Sequence, residues 1–225
     1  MKDKVYVLLA GVNGAGKSTL YNIVGKFGPI FPFCDNKAFQ DMPLINSDNI
    51  VREFGDWRDD KDQYAAGKIA VRRIREYFRQ GVSFAQETTL AGKSIVRNIE
   101  TAKANGYKVG IVYVGVESAD IAKQRVRHRV ARGGHGIPES DIEKRYSLSF
   151  ENLNRIMEKC DGVLLFDNST EKGFRAVAEY DGQRLMLIGD YGQLPVWVKN
   201  QVEMPIVKQE AKSRSVSEKV HPLDE

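Results

Sequence analysis

Gly11-Val12-Asn13-Gly14-Ala15-Gly16-Lys17-Ser18 fits the pattern G-x-x-x-x-G-K-[ST] at every fixed position. The run before it, Val5-Tyr6-Val7-Leu8-Leu9-Ala10, is apolar and rich in strand formers. After it, Leu20, Ile23, Val24 and Phe27 recur at helical spacing. Set between a buried strand and a helix, such a loop is a phosphate cradle. Its glycines allow a close backbone approach, and its N–H groups and the positive helix end face the anion. Gly11, Asn13, Gly14, Ala15, Gly16, Lys17, Ser18 and Thr19 are therefore the expected nucleotide contacts. Lys17 is expected to reach the β- and γ-phosphates, and Ser18 to hold Mg²⁺. A glycine-rich turn that binds nothing is the competing reading, and the strand–loop–helix context argues against it.

Two further strands are expected to end beside this loop. Met42-Pro43-Leu44-Ile45-Asn46 runs into Ser47-Asp48, and Val82-Ser83-Phe84-Ala85-Gln86 runs into Glu87-Thr88-Thr89. Open α/β sheets bind ligands at the carboxyl ends of their strands, which makes Asp48 and Glu87 candidates. Asp48 could instead only cap a short helix over 49–54. Glu87 could orient Mg²⁺, its waters or a substrate hydroxyl, or be a solvated turn residue.

Helical periodicity predicts helices over 64–80, 94–105 and 118–132, the last capped by Ser118, and another opening at Ile137-Pro138-Glu139. On the third of these, Arg125, Arg129 and Arg132 fall at i, i+4 and i+7 and share a face. A solvated charge run is the plain reading. However, the helix ends in Gly133-Gly134-His135-Gly136, a hinge-like segment, and arginine grips phosphate oxygens with a rigid fork. A phosphate-clamping lid over about 125–145 follows, with Arg145 as a fourth candidate. His135 is a possible ligand contact, although a lone histidine makes no metal site.

Apolar runs at 108–114 and 162–167 add two more core strands, and 174–188, broken at Asp181-Gly182, reads as a hairpin. Five β–α units imply a three-layer α/β P-loop NTPase/kinase fold. Its sheet is five-stranded and mostly parallel, with a C-terminal antiparallel hairpin. The 225 residues suit one such domain over 1–200, followed by a polar tail over 201–225 that is expected to be poorly ordered from Lys208 onward.

Thirty-four basic residues nearly balance 30 acidic ones, for a net charge of +4. That suits anionic small ligands and gives no ground for inferring a nucleic-acid partner. Cys34 and Cys160 lack metal-type spacing and read as thiols of a reducing compartment. No apolar leader or span is present in the sequence, so a cytoplasmic protein without a membrane partner is expected.

Taken in order, the phosphate loop through Thr19-Leu20, then Ile45-Asn46-Ser47-Asp48 and Gln86-Glu87-Thr88-Thr89-Leu90, resemble the zeta-toxin-like P-loop kinases. Arg125-Val126, Arg129-Val130, Gly133-Gly134-His135-Gly136-Ile137-Pro138-Glu139, Arg145-Tyr146 and Phe166-Asp167-Asn168-Ser169 extend the resemblance over about residues 4–170. The compact, bacterial ATPase-like branch is the nearer likeness. The resemblance implies transfer of the γ-phosphoryl group of ATP, with Mg²⁺, to a sugar hydroxyl. In the toxins that acceptor is the 3′-hydroxyl of UDP-N-acetylglucosamine. It also implies Asp48 as the base, Glu87 as a group positioning substrate and metal, the lid arginines as neutralisers of charge, and an antitoxin protein as a possible partner. Two alternatives stand beside it: the same core with an antibiotic, nucleoside or nucleic-acid end as acceptor, or a nucleotide-dependent regulatory module with no acceptor.

Overall fold

In the computed structural model, which describes residues 3–207, the elements run β1 (Lys4–Ala10), α1 (Lys17–Ile23), α2 (Asn36–Asp41), β2 (Leu44–Ile45), α3 (Ser47–Arg52), α4 (Asp60–Gln80), β3 (Phe84–Thr88) and α5 (Ser94–Ala104). They continue through β4 (Tyr107–Gly115), α6 (Ala119–Ala131), α7 (Glu139–Met157), β5 (Gly162–Asp167), β6 (Arg175–Tyr180), β7 (Leu185–Leu187), α8 (Val196–Gln201) and β8 (Ile206–Val207). One sheet holds all eight strands, in the order β2-β3-β1-β4-β5-β6-β7-β8. The first five are parallel, as expected from the crossover helices.

β1 reads as a continuous apolar run because both of its faces are covered. Its side chains alternate between two cores. Tyr6, Leu8 and Ala10 join Ile74 and Phe78 of α4, Ile95 and Ile99 of α5, and Phe150 and Leu153 of α7. Val5, Val7 and Leu9 join Leu20 of α1 and Ala122 and Val126 of α6. These are the helix layers on either side of the sheet. In register, Leu9 pairs with Glu87 and Ala10 with Thr88, so the polar end of β3 stands beside the start of the phosphate loop.

The expected hairpin is present: β6 runs antiparallel to β5, and β7 antiparallel to β6. Beyond it, the sequence reading needs extending. β8 pairs parallel with β7, within a stretch assigned to the tail, and the boundary set at 200 falls inside α8. Residues 208–225, read as poorly ordered, lie outside the described residues.

Trp197 of α8 is 2 % exposed. Its indole sits where a side chain at Gly115 would otherwise be, and its Nε1–H donates to Asp167 Oδ1 at 2.9 Å. Trp197→Ala should therefore remove about 3–5 kcal/mol of stability. A urea unfolding midpoint measured against wild type checks this, and an unchanged midpoint would show that α8 is not part of the cooperative core.

Candidate active site

Gly14 takes φ +82, and a Cβ there would stand 2.5 Å from the Ala122 carbonyl oxygen. Gly16, also left-handed, turns the chain into α1. The loop is braced by Ala15 N–H donating to Val12 O at 3.1 Å and by Asn168 Nδ2 donating to Ala15 O at 2.9 Å. Asn168 stands just past β5, so the loop is also held from a second strand ending at the same edge of the sheet. Lys17 is buried, and its Nζ donates to Val12 O at 3.2 Å.

Glu87, carried by β3, gathers three donors from distant parts of the chain. Ser18 Oγ donates to its Oε2 at 3.0 Å and Asn46 Nδ2 donates to the same oxygen at 2.7 Å. Lys17 Nζ lies 3.8 Å from its Oε1. Burial pushes the Lys17 ammonium below its ordinary pKa, and the charges of Glu87 and Asp48 pull it back up.

Asp48 does not cap the short helix. Asn46 does, its Oδ1 accepting from Asp48 N at 2.8 Å and Asn49 N at 3.3 Å. The Asp48 side chain is thereby released and stays 46 % exposed. It lines a 380 Å³ cavity together with Lys17, Glu87, His135 and Arg145. A larger cavity, 1090 Å³, opens at the other end of the strands. There Lys103 and Lys108 pair with Asp161, and none of the motif residues is present.

The lid arginines part company. Arg129 donates from Nε to His135 O at 2.8 Å, while its Nη2 is buried without a partner among the described residues. Burial lowers its pKa, against the attraction of Asp48 and then Glu87. Arg125 Nη1 is likewise buried and without a partner among the described residues, near Asp167 and Glu171. Arg145 donates from Nη1 to Asn13 Oδ1 at 3.1 Å, which ties α7 to the phosphate loop, and from Nη2 to Asp141 at 3.3 Å. Arg132 is not brought to the site. The helix stops at Ala131, and Arg132 is its exposed C-terminal cap.

Buried guanidinium N–H groups without partners suit an anion with several oxygens, so the residues fit a nucleotide polyphosphate. Ser18 Oγ and the Glu87 carboxylate are hard oxygen donors and fit Mg²⁺. That ion takes one or two carboxylates plus substrate phosphates rather than an all-protein cage. No group of three or more His, Cys, Asp or Glu that could hold a metal occurs among the described residues. No helix among them is long and apolar enough to cross a membrane.

Three contributors were not among the candidate contacts: Asn46, Asn168 and Asp141. Asn46 carried a usable signal, since asparagine at a strand end followed by a helix is a preferred cap. Asn168 lies in a stretch quoted for the resemblance, and Asp141 stands four residues before Arg145 on the same helix, a pairing distance readable from spacing.

A family model described as zeta toxin matches residues 59–175, just over half the chain. An uncharacterized protein of Haemophilus influenzae is 32% identical over 146 residues, 65% of this chain and 94% of that one. A structure from the PezAT chromosomal toxin–antitoxin system of Streptococcus pneumoniae superposes with a TM-score of 0.56 at 16% identity. It covers 74% of this chain and 70% of its own. The AvrRxo1-ORF1:-ORF2 structure with ATP gives 0.59 at 16% identity, covering 82% of this chain and 60% of its own. At these identities the two structures are alike in fold.

Proposed function

The chain belongs to the zeta toxin family, and from that premise we propose that it moves the γ-phosphoryl group of ATP to a hydroxyl of a nucleotide sugar, UDP-N-acetylglucosamine or a close relative. The chain is a P-loop kinase, a nucleotide-dependent phosphotransferase. The observation that carries the proposal is the meeting of Lys17, Ser18 and Asn46 on Glu87, in the same cavity as Asp48. A cavity that holds both a cation for phosphate and a half-exposed carboxylate free of helix capping offers a donor and an acceptor each a partner.

In this reading the loop from Gly11 to Thr19 and the Lys17 ammonium hold the phosphates. Asp48 receives the proton of the acceptor hydroxyl. Arg129 and Arg145 offset charge on the transferring group, and Arg125 stands one turn before Arg129 on α6, near Asp167. Ser18 and Glu87 would hold Mg²⁺, which would supply neutralising charge for the nucleotide's phosphates. The segment over about 125–145 acts as the lid, whose closure excludes water and favours transfer over hydrolysis. A cytoplasmic site of action goes with the use of ATP.

A protein partner of the antitoxin kind is proposed alongside. Its support is that one similar structure comes from a toxin–antitoxin system and the other is an ORF1:ORF2 assembly.

The test is transfer by the purified protein with Mg·ATP and UDP-N-acetylglucosamine, with the product read by mass spectrometry and phosphorus NMR. A new sugar phosphate is expected, absent with Lys17→Ala. ATP binding without product would discard this acceptor and leave the kinase assignment standing.

A further inference from the structure

His135 is a buried side chain of the lid that the reaction, as derived above, leaves without a task. It lies between α6 and α7 and is 8 % exposed. Its ring meets Trp57 edge-on, with centroids 5.0 Å apart and planes at 81°. Its carbonyl oxygen accepts from Arg129 Nε at 2.8 Å. With ring and backbone both held, the imidazole has a fixed aim. Nε2 stands 3.8 Å from Asp48 Oδ1, and Nδ1 is buried without a partner among the described residues.

The two nitrogens are therefore not equivalent. A proton on Nδ1 would be a buried donor with nothing to receive it, which is costly. A proton on Nε2 faces a carboxylate. A second proton is disfavoured by the surroundings. Burial holds the imidazole pKa below its ordinary value; Asp48 opposes this, and Arg129, Arg52 and Arg145 reinforce it.

We propose that His135 is a positioning residue for Asp48, its Nε2–H engaging Oδ1 so that Oδ2 is presented to the acceptor hydroxyl. The inference rests on the reading of Asp48 as the base. The present separation is longer than a hydrogen bond. The half-exposed Asp48 side chain can close it by rotation, since its helix is capped by Asn46 and not by Asp48 itself. During transfer the acceptor oxygen bonds to phosphorus and the bond from phosphorus to the ADP oxygen breaks. The hydroxyl proton passes to Asp48 Oδ2, and the Nε2 proton stays in place. A carboxylate with one oxygen fixed offers the other in one direction, which is what a reaction dependent on alignment requires.

Two variants separate this role from packing. His135→Phe keeps a ring against Trp57 and removes both nitrogens. His135→Gln puts an amide N–H near the position of Nε2–H. Transfer is followed with UDP-N-acetylglucosamine and, in parallel, with water, as ATP hydrolysis. His135→Phe is expected to lose about 10²-fold in kcat with the KM for Mg·ATP unchanged, and His135→Gln to recover most of it. Wild-type kcat in His135→Phe, or equal losses in both variants, would overturn the proposal.

A readout independent of any acceptor accompanies this one. Two-bond nitrogen–proton NMR of the full chain labelled at histidine, assigned by the signal lost in His135→Gln, is expected to show Nε2–H with a bare Nδ1. The Nε2 signal is expected to shift in Asp48→Asn. A proton on Nδ1, or no shift in Asp48→Asn, overturns the proposal even if transfer is observed. Wild-type protein that binds Mg·ATP but transfers to neither sugar nor water would instead discard the nucleotide-sugar reading, and the tautomer measurement would then decide the placing of His135 by itself.

Discussion

Asp48→Asn is expected to lower kcat for phosphoryl transfer by about 10²–10⁴-fold while Mg·ATP still binds. The substitution keeps the size of the side chain and removes its ability to take a proton. Usually such a change at the start of a helix is confounded by loss of the cap. Here it is not, because the cap is Asn46, which accepts from the backbone N–H groups of residues 48 and 49. What is lost besides is the weak attraction between an acidic first turn and the helix dipole, about 0.3–1 kcal/mol, and the attraction of a half-exposed carboxylate for Lys17 and Arg129. A collapse in kcat without a collapse in melting temperature is thus the expected signature. It is read by initial-rate kinetics, nucleotide titration and thermal unfolding on the same preparation. Retained transfer would remove Asp48 from the base role.

Lys17→Ala is expected to reduce transfer by about 10³-fold and to weaken nucleotide binding as well. Lys17 is the buried cation of the phosphate loop, within 3.8 Å of Glu87. Its loss removes charge from the place where the proposed transition state gathers it. Glu87 is not orphaned by the change, because Ser18 and Asn46 still donate to it. The fold should survive, and Lys17→Met, closer in volume, should give the same kinetics with less disturbance to packing. If Lys17→Ala binds ATP and transfers as wild type does, the phosphate loop is not the donor site, and the proposed reaction fails with it.

How much of this was legible in the sequence differs from residue to residue. β1 and the phosphate loop were legible because a strand buried on both faces and a glycine-rich turn each leave a local signature. Asp48 and Glu87 were legible as positions, since polar groups at the ends of apolar runs mark the carboxyl edge of a sheet. What they touch was not. The contact between Ser18 and Glu87 depends on the pairing of Leu9 with Glu87, a register set by both helix layers at once. Arg132 shows the opposite failure. Spacing put it on a face with Arg125 and Arg129, but the helix ends one residue too soon. α8 and β8, six and two residues long, were missed because, unlike α3 and β2 of the same lengths, they stand where the chain turns polar, and Trp197 is buried by tertiary contacts alone.

The order of strands also bears on how the chain comes off the ribosome. β1 is made before the other strands of this sheet yet sits third in it, and its two neighbours are completed only at Thr88 and Gly115. At about 5–20 residues per second, this apolar ribbon waits roughly 4–16 s with both edges bare and roughly 5–20 s for its second neighbour. During that wait it is a target for chaperones, and for the same strand on another nascent chain. The yield of native protein in a cell should therefore depend on the pace of translation between β1 and β4.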